Sequence, residues 1–169
     1  MMRFVTPAKA GAQFLVALMP LAAFGADATF TTKSLTPETA LKAAQAALAK
    51  CRNDGFQVAV AVVDRAGITQ VLLRDRFAGP HTVDVASNKA WTAVSFRTNT
   101  ADIERASRPN EPMAGLRNVP RVTAISGGVM IEGGGSLLGG IGVSGAPGGE
   151  ADAACALAGV KAILDDIEL

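Results

Sequence analysis

Almost every position from Gln57 to Asp64 (QVAVAVVD) is apolar, without the alternation of a half-exposed strand. The stretch therefore predicts a central β-strand buried on both faces. Arg65-Ala66-Gly67 makes a short turn, and ITQVLLR (Ile68–Arg74) returns as the antiparallel partner. Ahead of this pair, Thr36-Pro37-Glu38 opens a helix with a hydroxyl cap, a first-turn proline and an acid at the positive end of the dipole. Alanines with Leu41 and Leu48 carry that helix to about Arg52, and Asn53-Asp54-Gly55 stops it. A second helix, capped by Thr82 with Asp84 in its first turn, runs to about Phe96. One side of it, Val83, Ala86, Ala90, Ala93 and Val94, is apolar and should face the sheet. The other carries His81, Asp84, Asn88, Trp91 and Ser95.

A short helix is expected at Thr100–Ser107, and Pro109, Pro112 and Pro120 bound an irregular stretch holding Met113 and Arg117. RVTAIS (121–126), VMIE (129–132) and SLLGGIGVS (136–144) read as short strands linked by glycine turns, and Gly148–Asp166 reads as an amphipathic terminal helix. The order is helix, two strands, two helices, two or three strands, helix. Turns this short join only antiparallel strands, so the fold class is α+β, with helices packed on a mainly antiparallel sheet.

Eleven of the eighteen glycines lie between Gly127 and Gly149, and they include GIGVSG, a match to the G-x-G-x-x-G dinucleotide fingerprint at Gly140, Gly142 and Gly145. That fingerprint needs a second parallel strand with an acidic residue after its helix, and none follows here. The preferred reading is a hairpin whose glycines supply left-handed turns and close backbone approach.

Composition adds a compartment. Arg3 and Lys9 precede an apolar core, Gly11–Gly25, and Ala26-Asp27-Ala28 supplies a small-x-small cleavage pattern. Residues 1–28 are expected to be an export signal and residues 29–169 a single domain, periplasmic or secreted. A membrane anchor is disfavoured because the apolar run is short and broken by Pro20, and no other segment is apolar enough to span a bilayer. The remaining chain carries fourteen bases and fourteen acids without basic clusters, which argues against a nucleic-acid partner. Cys51 and Cys155 each fall near the end of a predicted helix. An exported domain permits a bridge between them, and two buried thiols are the equal alternative.

His81 is the only histidine. No G-x-S-x-G elbow accompanies it and neither cysteine stands in a nucleophile context, so hydrolytic catalysis is disfavoured. One histidine cannot close a structural zinc site, but a neutral imidazole can be the axial ligand of a cofactor that brings its own metal. A solvated or capping histidine is the competing reading. Met113 and Met130 are conceivable second ligands, with core packing the simpler role. Trp91, on the polar stripe, is exposed, covered by its own domain, or used as a stacking surface or subunit contact. Arg74, Arg76, Lys89 and Arg97 lie near in sequence and are candidates to pair with carboxylates of a bound ligand. Glu150 and Asp152 suit a helix start.

VAVVDRAG, RDRFAGPHT, NKAWTAVSFRTNT and GGVMIEGGGSLLGGIGVSGAPGGEADAACALAG, in that order, resemble the GlcG/HbpS family of haem-binding proteins, which includes the carboxy-terminal domain of PduO-type proteins. The resemblance runs from Thr36 to Leu169. It implies a profilin/PAS-like α+β domain with a five-stranded antiparallel sheet, assembly into homo-oligomers, and haem or a corrinoid-type ligand as partner. Carried to this chain, it makes His81 the candidate iron ligand with Trp91 beside it, and the basic residues above the partners of the haem propionates. The rivals are an accessory enzyme or binding factor for a small organic acid or corrinoid, and a purely structural oligomerisation module.

Overall fold

The apolar run of the sequence becomes the strand β1 (Ala59–Asp64), whose first five residues are fully buried. This computed structural model describes residues 1–2 and 28–168; residues 3–27 of the expected export signal (1–28) lie outside the described residues. β1 pairs on one side with β2 (Thr69–Arg74) and on the other with β4 (Ser136–Ser144), which pairs in turn with β3 (Gly128–Gly133). The sheet order is β2-β1-β4-β3, antiparallel throughout.

Helices α1 (Pro37–Asn53) and α4 (Gly149–Lys161) pack together on one face of the sheet, and α2 (Thr82–Phe96) lies on the other. The α1 start follows the expected chemistry, with the Thr39 amide donating to the Thr36 hydroxyl at 3.3 Å. Its alanine stripe, Ala40, Ala43, Ala44 and Ala47, is fully buried, and Val60, Val62, Ile131, Ile141 and Val143 share one core with it from the sheet, with Val58 just ahead of β1. Cys51 and Cys155 are joined in a disulfide between α1 and α4, with Cα atoms 5.5 Å apart, which settles the alternative left open by their spacing.

The glycine-rich block resolves into two devices. Gly134 and Gly135 both take positive φ (54° and 71°) in the two-residue turn between β3 and β4, as a type I′ hairpin requires. Gly128, Gly140 and Gly142 instead make room for α2: a Cβ on Gly142 would collide with the Ala86 carbonyl oxygen, and one on Gly128 with that of Lys89. The fingerprint-like GIGVSG is therefore a seat for a helix.

Three expectations are corrected. The fold class holds, but among the described residues the sheet has four strands where five were expected. Residues 121–126 do not pair because side chains take their amides: Thr123 N donates to Thr92 Oγ1 (3.0 Å) and Ser126 N to Glu104 Oε2 (2.8 Å), while Arg121 turns the chain at φ +70°. The terminal helix breaks after Lys161 and resumes as α5 (Leu164–Ile167), separated by the fully buried Ile163. Finally, His81, not Thr82, occupies the cap position of α2, and the Thr82 hydroxyl turns outward from the helix to donate to Gly79 O at 2.6 Å. The short α3 (Thr100–Ala106) and a 3-10 turn (Ala114–Asn118) lead across to the unpaired segment.

Candidate functional site

The loop from Asp75 to His81 joins the edge strand β2 to α2, and its residues are tied down one by one. Asp75 is 3% exposed and receives Nε and Nη2 of Arg52 on its two carboxylate oxygens, each at 2.8 Å. That bidentate pair fixes the loop to α1 and holds the Asp75 carboxyl below its ordinary pKa; the hydrogen bonds from Arg52 are the main cause. The Arg74 guanidinium reaches forward to donate to Ala78 O, and Thr82 closes the loop through Gly79 O. His81 follows, exposed and making no capping hydrogen bond. Phe77 in the same loop is 79% exposed.

Val85 stands one helical turn beyond His81, its amide donating to His81 O at 3.1 Å, so the two share a face of α2. Val85 is also one wall of a cleft of about 320 Å³ whose other lining is Arg117, Val122, Thr123, Ala124 and Ile125. The opposing wall is thus the segment whose amides are bound by side chains. Arg117 is held over it by donating to Ser107 O (2.7 Å) and Glu104 O (3.2 Å). Exposed Met113, Val119 and Ile125 extend apolar surface along the same segment. An imidazole without a hydrogen-bond partner among the described residues, an apolar cleft on the same helix face and a guanidinium at its edge suit a flat apolar ligand bearing a metal and acidic groups. Among the described residues no cluster of three or more His, Cys, Asp or Glu side chains is placed to hold a metal ion by itself.

Of the residues singled out in the sequence, the structure gathers His81, Arg74 and Arg76 around this loop; Arg76 is exposed, and its amide donates to Asp75 Oδ1 at 3.1 Å. Lys89 must be reassigned. It is 1% exposed, with Nζ 2.7 Å from Asp152 Oδ2 and 3.0 Å from Val143 O, so it reaches no surface ligand. Asp152 is more than a residue suited to a helix start: its other oxygen accepts the Ala146 amide at 3.0 Å. Burial pulls the Lys89 ammonium below its ordinary pKa and pushes the Asp152 carboxyl above its own, while their mutual attraction opposes both.

Trp91 lies ten residues beyond His81, about 15 Å along the helix. It is half-buried by its own domain, with the Arg121 guanidinium 4.7 Å over the ring and Gly67 of the β1–β2 turn against its edge. Arg97 ends α2 in the left-handed conformation (φ 49°), at the opposite end from His81. Met113 is exposed and Met130 partly buried on β3. Val85, Val122 and Ile125 escaped the sequence reading, because apolar residues on an expected helix and strand signal packing, not a cleft.

Comparison with known proteins bears on what such a site holds. A family model described as "Haem degrading protein HbpS-like" matches residues 35–161. The solved structure of HbpS from Streptomyces reticuli, in a double-mutant form, superposes with a TM-score of 0.76 at 35% identity, covering 92% of this chain and 97% of that one. A PduOC–haem complex is similar at 29% identity and a TM-score of 0.73, covering 77% of this chain and 95% of that one. Among characterised sequences, the corrinoid adenosyltransferase PduO of Citrobacter freundii is 32% identical over 103 residues, 60% of this chain; the match spans 31% of PduO.

Proposed function

Because the chain belongs to the HbpS-like family, we propose that it is an exported haem-binding protein in which His81 is the axial ligand of the iron. The observation that carries this reading is the single imidazole of the chain, exposed and making no capping hydrogen bond, on the same face of α2 as the apolar cleft at Val85. Bound there, haem supplies an iron centre that accepts a nitrogen donor. Phe77, Val85, Val122 and Ile125 exclude water from the ring, while Arg76 and Arg117 pair with its carboxylates. Titrating the purified apo-protein with haemin tests this. A shifted and intensified Soret band in the wild type, absent or altered in His81→Ala, is the expected result; a wild-type spectrum equal to free haemin would refute it.

Export to the periplasm or exterior accords with the Cys51–Cys155 bridge, since disulfides persist in oxidising compartments. Assembly into homo-oligomers accords with the edge strand β2, on which Leu72 is exposed, as is Ile68 just before it. Light scattering on the wild type and on Leu72→Asp would test the assembly. A corrinoid is the second reading, favoured by the similarity to PduO; hydroxocobalamin run through the same titration separates the two.

A further inference from the structure

The geometry points to Gly79 and Thr82 as the positioning residues that aim the His81 imidazole, leaving Nε2 as the nitrogen turned outward. A Cβ built on Gly79 would lie 2.7 Å from His81 Cε1 and 2.9 Å from Nδ1, but 3.8 Å from Nε2, and these are the three heavy atoms nearest to it beyond Ala78, Gly79 and Pro80. The ring therefore lies with its Nδ1–Cε1 edge on the bare α-carbon of Gly79. The backbone does not demand glycine here. Gly79 is not among the glycines with positive φ, unlike Gly55 and Gly67, so another L-residue fits its conformation. What the missing side chain provides is room for the imidazole.

Thr82 supplies the second half of the device. Its amide and its hydroxyl both donate to Gly79 O, at 3.1 and 2.6 Å, and the hydroxyl is thereby diverted from helix capping. Thr82 is 1% exposed, so these bonds are shielded from competing water. Arg74 on Ala78 O, with Ala78 itself buried, steadies the residue before Gly79. The sequence Ala-Gly-Pro-His-Thr is then a single unit: a fixed platform, a ring laid upon it, and a clasp.

The consequence for ligation rests on the haem reading; the ring orientation does not, and the test separates them. With one histidine in the chain, its Hε1 proton gives one unambiguous imidazole signal. In ligand-free protein that signal should show a nuclear Overhauser contact to the Gly79 α-protons. Gly79→Ala should fold normally, because its Cβ meets only a movable side chain, yet shift Hε1 and weaken haemin binding by about ten-fold, as removal of groups that orient metal ligands does. Thr82→Val should also shift Hε1 and weaken binding, and Thr82→Ser should restore both. An absent Overhauser contact, or an unmoved Hε1 signal in well-folded Gly79→Ala, overturns the positioning role whatever the ligand. A displaced ring with unchanged haemin affinity, where His81→Ala abolishes binding, overturns its consequence for ligation. Failure of the wild type to bind haemin, with the ring contacts present, sinks the haem reading alone.

Discussion

From Ala86 to Val94, α2 is pressed against the sheet so closely that glycines must face it, and the one charge of that stretch, Lys89, is matched inside the protein by Asp152. At its other end, around His81, the same helix meets solvent with an imidazole that makes no capping bond, on a loop anchored through Asp75 and Thr82. One helix thus serves two purposes, divided along its length. Sequence chemistry by itself would have ranked them the other way, since a lysine beside a histidine looks like a second ligand-binding group. Burial decides: a charge with 1% exposure is part of the architecture.

The division is broken most severely inside. Asp152→Leu leaves the Lys89 ammonium buried without its carboxylate, and urea unfolding should show a loss of about 3–5 kcal/mol. Adding Lys89→Met removes the stranded charge and should recover most of that loss. A double variant no better than Asp152→Leu alone would mean that the pair is not the reason for the cost. The disulfide on the other face comes next. Cys51→Ala with Cys155→Ala frees a link between residues 104 apart in sequence, and should lower stability by about 2–4 kcal/mol in the same assay. Neither change touches the His81 loop, so haemin affinity of the folded fraction should be retained in both.

Asp75 sits between the two regimes, buried like Lys89 but tied to the outer loop. Its folded pKa lies below the unfolded value, so the stability it confers is present above about pH 4 and is lost as the pH falls through the lower folded value. Stability measured from pH 6 downward should fall more steeply in the wild type than in Asp75→Asn. At neutral pH the variant should be modestly less stable, Arg52 being about half exposed, and its His81 loop less ordered.

Much of this arrangement was legible in the sequence. The unbroken apolar run, the Thr-Pro-Glu helix start and the apolar face of α2 correctly gave the buried strand, the first helix and the side of α2 that meets the sheet, since each is a local pattern with one outcome. What escaped was long-range. The fifth strand failed because Thr92 and Glu104, 31 and 22 residues away, claim the amides of Thr123 and Ser126. Lys89 was misplaced because its partner is sixty-three residues distant, and no spacing announces a buried pair. The cleft at Val85 was invisible because it forms only when the unpaired segment crosses α2. The sole histidine needed no folding to be noticed, but its aim depends on Gly79 and Thr82, residues whose type suggests only a turn.

The smallest effect on folding is the most informative about the site. His81 is exposed and makes no capping bond, and the helix beside it is held through Thr82 and Gly79, so His81→Ala should change stability by no more than about 0.5 kcal/mol. Its effect should emerge only with ligand present. Haemin at about 100 times its dissociation constant should stabilise the wild type by about 2.7 kcal/mol, seen as a raised melting temperature, through binding to the folded state alone. In His81→Ala the melting temperature should stay where it was without haemin. Should the variant instead melt well below the wild type before any ligand is added, the imidazole is a structural member of the loop, and the division of α2 into a packed stretch and a binding end fails at the residue that defines it.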